Sequence, residues 1–275
     1  MLVSAYLFAE AAAGYLTGSL ALLADAGHML ADAGSLALSL FAVWLADRPA
    51  PAARTFGYRR AEILAALANG AALVVVAILI AIEAVHRFAA PPAVAGAPVF
   101  AVAAGGLAVN LVGLALLHGV RDAGLNLRGA WLHLASDALG SVAAMVSGAA
   151  LWIADLRVAD PLASLAITAL VLRSAWALLR ETVDVLLEAA PSHVDVEALR
   201  RGLSAQAGVI SVHDLHVWTI TSGMVSLSCH VQAAAEANAH ELLERLTREL
   251  HHRFGIQHAT IQLEPEGFAE REDVC

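Results

Sequence analysis

His28-Met-Leu-Ala-Asp32 and His133-Leu-Ala-Ser-Asp137 share one spacing, an imidazole and a carboxylate four residues apart, each inside a long apolar run. Residues i and i+4 of a helix lie on one face, about one turn apart. Each segment therefore offers a histidine and an aspartate to a single point. Ionisable groups buried in lipid cost several kcal/mol and are rare there, so they mark ion or proton pathways. If the two helices face each other, the four groups form an N₂O₂ cage, a tetrahedral donor set suited to Zn²⁺. Two neutral imidazoles and two carboxylates cancel the charge of a divalent cation and leave a neutral complex within the bilayer. Without metal, two poorly solvated carboxylates attract protons, so metal and proton compete for the same ligands. Metal/proton exchange requires that competition.

The composition says independently that these runs cross a membrane. Hydrophobic residues make up 59% of the 275 positions and charged residues only 15%, against about 25% charged in soluble domains. Mean hydropathy is +0.70. Apolar stretches near the ~20 residues needed for a span recur at about 2–18, 20–46, 62–88, 97–119, 127–154 and 159–186. The fold class this predicts is an α-helical membrane protein: six transmembrane helices in residues 1–188, a C-terminal α/β domain at 191–265 and a polar tail at 266–275. The first run has no basic flank and simply continues, so no cleavable signal peptide is expected.

Every basic residue among the 16 is arginine. Arg48, Arg54, Arg59, Arg60, Arg121 and Arg128 fall in the segments 47–61 and 120–128, while the opposite turns hold Arg87 and Arg157. By the positive-inside rule the first set is cytoplasmic, which puts both termini and the C-terminal domain there too. The compact, arginine-only chain points to a bacterial inner (plasma) membrane. Cys229 and Cys275 would then sit in a reducing compartment, and no disulfide is expected.

Within the spans, Gly14, Gly18, Gly105, Gly106, Gly113 and Gly148 suit close helix packing in lipid, and Asn110 belongs on an inner face. Pro91-Pro92 and Asp160-Pro161 mark breaks between spans. Glu10 and Glu83 read as interior hydrogen-bonding groups and Glu62 as interfacial; Asp25 suits a place at a helix start.

Beyond Pro191 the pattern changes. Helical spacing over 193–206, β-branched runs at 209–220 and 224–233 around a Thr-Ser-Gly turn, a helix at 238–254 and a strand at 258–264 give the order α-β-β-α-β. Residues 191–275 carry 12 acidic and 6 basic side chains and 8 of the 12 histidines. That acidic, histidine-rich composition argues against nucleic acid and for metal as partner. In a regular strand His216 would face away from His213, and His251, His252 and His258 read as surface residues.

The stretches GSLALLADAGHMLADAGS (18–35), TFGYRRAEILAALANG (55–70), HLASDALGS (133–141), ADP (159–161), HDLHVW (213–218) and TIQLE (260–264) together resemble the cation diffusion facilitator family, close to its zinc-exporting, zinc/proton antiporter members. The resemblance runs nearly the whole chain. It implies a homodimer in the lipid membrane, with six spans and a cytoplasmic metallochaperone-like domain per protomer, and efflux of Zn²⁺ driven by inward proton flow. By that pattern His28, Asp32, His133 and Asp137 are the transport ligands, with His28 favouring zinc. The same pattern puts His213, His230 and Glu264 at a regulatory Zn²⁺ site of the C-terminal domain, with His240 bridging. Gln262 and Glu264 stand where other members have histidine and aspartate, and Cys275 is a candidate to complete a shell. There is no histidine-rich loop between spans four and five, where 118–128 holds only His118. Asp47 is alone in the loop after span two. Arg59 or Arg60 is expected to pair with Asp184 or Glu188.

Two other readings stay open on sequence. A membrane metalloenzyme would need an open coordination position and a nearby base, and no HExxH is present. A zinc sensor anchored by its membrane half would tolerate loss of His28 or Asp137.

Overall fold

Six long helices come first: α1 (Leu2–Thr17), α2 (Leu20–Ala46), α3 (Ala61–Ala89), α4 (Gly96–His118), α5 (Leu125–Ala154) and α6 (Ala159–Leu186). The computed structural model describes residues 2–46, 48–118 and 125–268; Asp47, residues 119–124 and the stretch containing Cys275 lie outside them. Five helices, α2 to α6, are long and apolar enough to cross a membrane. With 16 residues α1 reaches only about 24 Å, short of a ~30 Å hydrocarbon core.

Residues 1–41 and 65–179 form one compact unit and residues 42–64 and 180–275 another. The first is held by small side chains more than by large ones. Its buried centre contains Ala21, Leu22, Ala24, Leu73, Ala77, Ala103, Ala144 and Ile167, while Tyr15, Leu116, Ile153 and Trp176 lie exposed on the outside, as lipid-facing positions do. Contact between α4 and α5 is backbone to backbone. A Cβ on Gly96 would fall 2.4 Å from the Trp152 nitrogen, and one on Gly148 would fall 2.5 Å from the Phe100 nitrogen. No other residue fits at either position, and this close approach is what small residues give helices in lipid.

The start of α2 is capped from a distance. Asp160, buried at the head of α6, accepts from the Ser19 hydroxyl (2.5 Å), Leu20 N (2.8 Å) and Ala21 N (3.3 Å). Arg87 of α3 donates to the Gly18 carbonyl at 2.6 Å and approaches Asp160 at 3.8 Å. A carboxylate on the first free N–H groups of a helix satisfies them and matches its dipole. Asp160 thus takes the helix-start role expected of Asp25, which lies five residues inside α2 and is buried. Glu83 also departs from expectation: it is half-exposed and pairs with Arg87 one turn on, at 2.9 Å.

In the second unit α7 (Val196–Ser204), β1 (Val209–Thr221), β2 (Met224–Ala233), α8 (Ala239–Phe254) and β3 (His258–Pro265) follow the α-β-β-α-β order. β1 and β2 pair antiparallel, β2 and β3 parallel. Asp195 caps α7 and Asn238 caps α8. Gly255 ends α8 at φ 69°, a left-handed turn that glycine makes without steric cost. Leu199, Leu203, Val217, Leu227, Val231, Leu242, Leu246 and Leu250 form the core between both helices and one sheet face. The same unit contains Glu62, which accepts from the Thr221 and Ser222 hydroxyls of the β1–β2 turn, and the Arg60–Glu188 ion pair at 2.8 Å.

Candidate metal centres

α2 and α5 bring the two His–Asp pairs together. His28 Nε2 lies 3.1 Å from Asp137 Oδ1 and 3.7 Å from Asp32 Oδ2; His133 Nε2 lies 3.5 Å from Asp32 Oδ2 and 3.6 Å from Asp137 Oδ2. One donor atom from each residue lies within 4.8 Å of all the others. A tetrahedron with metal–ligand bonds of about 2.0–2.1 Å has edges of about 3.3 Å. The four nitrogen–oxygen separations lie near that length, with Asp137 facing His28 through Oδ1 and His133 through Oδ2, so its carboxylate would turn to offer one oxygen to a bound cation. Every imidazole–carboxylate edge, within a helix and between helices, is of that length. The cage forms because the 3.6-residue period stacks i and i+4, and because Gly140 of α5 lets α2 come close, a Cβ there falling 3.2 Å from Asp25 Oδ1. His28 and Asp137 are the less exposed half, at 12% and 16% of their side chains, against 34% for Asp32 and 48% for His133. One edge of the cage is therefore more open than the other.

A second group lies on the polar face of the small sheet. His213 of β1 is in register with His230 of β2, and Gln232 of β2 with Glu264 of β3. His213 Nε2 lies 3.2 Å from Glu264 Oε2 and His230 Nδ1 lies 3.1 Å from Glu264 Oε1. Alternation along the strands puts these three donors on one face and the leucine core on the other. Gln262 donates to Glu264 at 2.8 Å, so it holds the carboxylate where a metal-binding side chain was absent from the sequence. His240 does not join the group: its side chain is 83% exposed and lies 3.6 Å from Glu244 on its own helix. Cys229, on β2 but on the core face, is buried, and burial pushes its thiol up to about 11.

His216 corrects the regular-strand expectation. His213 pairs with His230 but His216 with Ser228, three residues against two, so β1 carries a one-residue bulge. Asp214 sits at the bulge with φ 48°. The extra residue returns His216 to the face of His213. It lies 2.6 Å from Asp214, whose other oxygen is 3.6 Å from His230. The His216 hydrogen bond, helped by the nearby imidazoles, holds the Asp214 carboxyl below its ordinary value. The sequence signal for this was the aspartate in His-Asp-Leu-His, since aspartate tolerates the left-handed conformation better than most residues.

Comparison with known proteins agrees in both halves. Residues 1–187 match the family model described as the cation efflux transmembrane domain, and residues 191–266 match the one described as the cation efflux protein, cytoplasmic domain. The chain is 42% identical over 271 residues to a cadmium, cobalt and zinc/H⁺-K⁺ antiporter of Bacillus subtilis, covering 97% of this chain and 87% of the relative. It is 41% identical over 261 residues to the zinc transporter ZitB of Escherichia coli, with 94% and 83% covered. Against the metal cation efflux system protein CzcD of Cupriavidus metallidurans the figures are 40% over 264 residues, with 96% and 84% covered. A solved structure described as the metal-bound C-terminal domain of the CzcD transporter is 40% identical, covers 26% of this chain and 99% of its own, and has a TM-score of 0.25.

Proposed function

The chain belongs to the cation efflux family, and from that membership we propose that it exports Zn²⁺ from the cytoplasm in exchange for protons, using His28, Asp32, His133 and Asp137 as transport ligands. It is a multi-pass membrane carrier of metal cations, not an enzyme. The observation that carries the finer reading is the set of four nitrogen–oxygen separations of 3.1–3.7 Å, two within a helix and two between α2 and α5.

Two carboxylates neutralise the cation, so the loaded site crosses the low-dielectric interior without net charge. The empty site needs protons for the same reason. Exposing it alternately to either side by rocking of the spans then exchanges metal for protons. The zinc, cobalt and cadmium in the relatives' names share imidazole and carboxylate ligands. The arginine distribution supports cytoplasmic termini and a cytoplasmic tail in a plasma membrane. In the tail, His213, His230 and Glu264 would bind Zn²⁺ as a regulatory ligand and tighten a homodimer.

The test is zinc uptake into proteoliposomes under an imposed pH gradient, comparing the wild type with Asp137→Ala. Gradient-driven uptake that the substitution abolishes supports both the exchange and the site. Uptake indifferent to the gradient would mean a carrier without proton coupling. Absence of flux in both, with zinc still bound by the protein, would favour a sensor.

A further inference from the structure

Glu10 is fully buried on α1, and neither of its carboxylate oxygens has a hydrogen-bond partner among the described residues. Its neighbours explain why. Tyr6, one turn earlier, has a single hydroxyl proton and gives it to the Val102 carbonyl of α4. The other neighbour is the carboxyl of Asp25 on α2, itself only 4% exposed. Asp25 also lies beside the Ser141 hydroxyl of α5, and that hydroxyl takes the amide proton of Asn110 at 3.3 Å. A Cβ on Gly140 would fall 3.2 Å from Asp25 Oδ1, so the α5 backbone closes over the carboxyl.

Two carboxylates in a dry site beside an empty, negatively charged cage cannot both be ionised. A single proton resolves the arrangement, with one carboxyl donating to the other and Glu10 gaining the partner it lacks. The other groups facing the pair are Tyr6 from α1, the neutral Asn110 from α4, and the charges of the metal cage, His28 on α2 and Asp137 on α5. Asp25 precedes His28 by three residues, so the pair stands about one helical turn from the cage without belonging to it.

We propose that Glu10 and Asp25 form a proton-binding site of their own, distinct from the four metal ligands, which holds one shared proton when the cage is empty and releases it when a divalent cation binds. The inference rests on the exchange reading above. On metal binding the shared O–H bond breaks and the proton passes to water on the side to which the cage is open. The loaded cage is neutral where the empty one is negative, so the pair then faces less repulsion and its second carboxylate charge is tolerated. When metal leaves on the other side, the pair takes up one proton from there. The pair thus adds one proton to each cycle beyond those that compete directly for the ligands.

The experiment measures protons released per zinc bound by the full-length protein in weakly buffered detergent, alongside the zinc-induced infrared difference spectrum. The wild type is expected to lose a protonated-carboxyl C=O band on binding zinc. Glu10→Gln is expected to bind zinc but to release about one proton fewer per metal, without that band. A proton yield and band unchanged in Glu10→Gln overturn the inference while leaving the exchange reading intact. Failure of the wild type to release protons at all overturns both. Should Glu10→Gln not fold, Glu10→Asp decides: a shifted carboxyl frequency supports the assignment and an unshifted one overturns it.

Discussion

In the membrane half Asp32 and Asp137 each lie between two imidazoles, His28 and His133, and all four donors come from two helices. In the small sheet a single carboxylate, Glu264, serves His213 and His230, and the donors come from three strands. The difference is one of charge as much as geometry. A divalent cation in the four-residue cage is neutralised, as passage through lipid demands. In the three-residue group it would keep one positive charge, which the Asp214 carboxylate 3.6 Å from His230 can offset from outside the group. The first arrangement suits an ion in transit and the second an ion that stays.

The sharpest way to break that contrast is to remove one carboxylate from the cage. Asp137→Ala leaves two imidazoles and one carboxylate, so a bound divalent cation would carry net charge into the bundle. Metal flux is expected to fall by at least about 100-fold, while zinc binding at the sheet is retained. Flux in proteoliposomes and bound zinc per protomer check both halves. Survival of transport in Asp137→Ala together with its loss in Glu264→Ala would reverse the roles of the two sites.

Next in size is a change that touches neither site. Asp160 is 1% exposed and receives the Ser19 hydroxyl and two backbone N–H groups at the start of α2. Asp160→Ala leaves those three donors without their acceptor and removes the carboxylate beside Arg87, a loss of about 3 kcal/mol. Thermal unfolding in detergent is expected to shift down by several degrees. An unchanged transition would mean that water replaces the cap.

At the sheet, Glu264→Ala removes the one carboxylate between His213 and His230. Zinc affinity there is expected to drop by about 10–100-fold, read by titration of the full chain in which Asp137→Ala has already silenced the cage. With the cage intact, the same substitution is expected to slow transport without abolishing it. Transport that is wholly unaffected would remove the regulatory role of the sheet site.

These cases also show which features a single sequence carries. The five long apolar helices and the two His–Asp pairs were legible because each depends on one local period: hydropathy over about 20 residues for a helix in lipid, and i,i+4 for the pairs. The α-β-β-α-β order was legible because β-branched runs and a Thr-Ser-Gly turn are local signals too. Asp160 was not, because its partners lie 140 positions away and nothing in Ala-Asp-Pro says which helix it will cap. The bulge at Asp214 depends on how β1 registers against β2, so strand alternation alone sent His216 to the wrong face. His240 was assigned by resemblance alone, and the fold leaves it on the exposed side of α8. Glu10 was read as an interior group bonded to a partner. Its real neighbour, a second acid from another helix, is a matter of tertiary packing.

The smallest expected effect tests the bulge itself. The His216 hydrogen bond is the largest cause holding the Asp214 carboxyl low, so His216→Ala should let that carboxyl rise toward the ordinary value of about 3.9, measurable by NMR of the side-chain carboxyl. The sign for stability follows. A group whose folded pKa is depressed contributes stability that is fully present above its unfolded value and lost as pH falls through its folded one. Wild type and His216→Ala should therefore differ at neutral pH and converge under acid conditions. The gap should be small, because Asp214 is open to solvent and water screens the interaction. Were the two proteins equally stable at every pH, Asp214 would owe its conformation to backbone pairing alone. The bulge would then be a property of strand register and not of the His-Asp-Leu-His side chains.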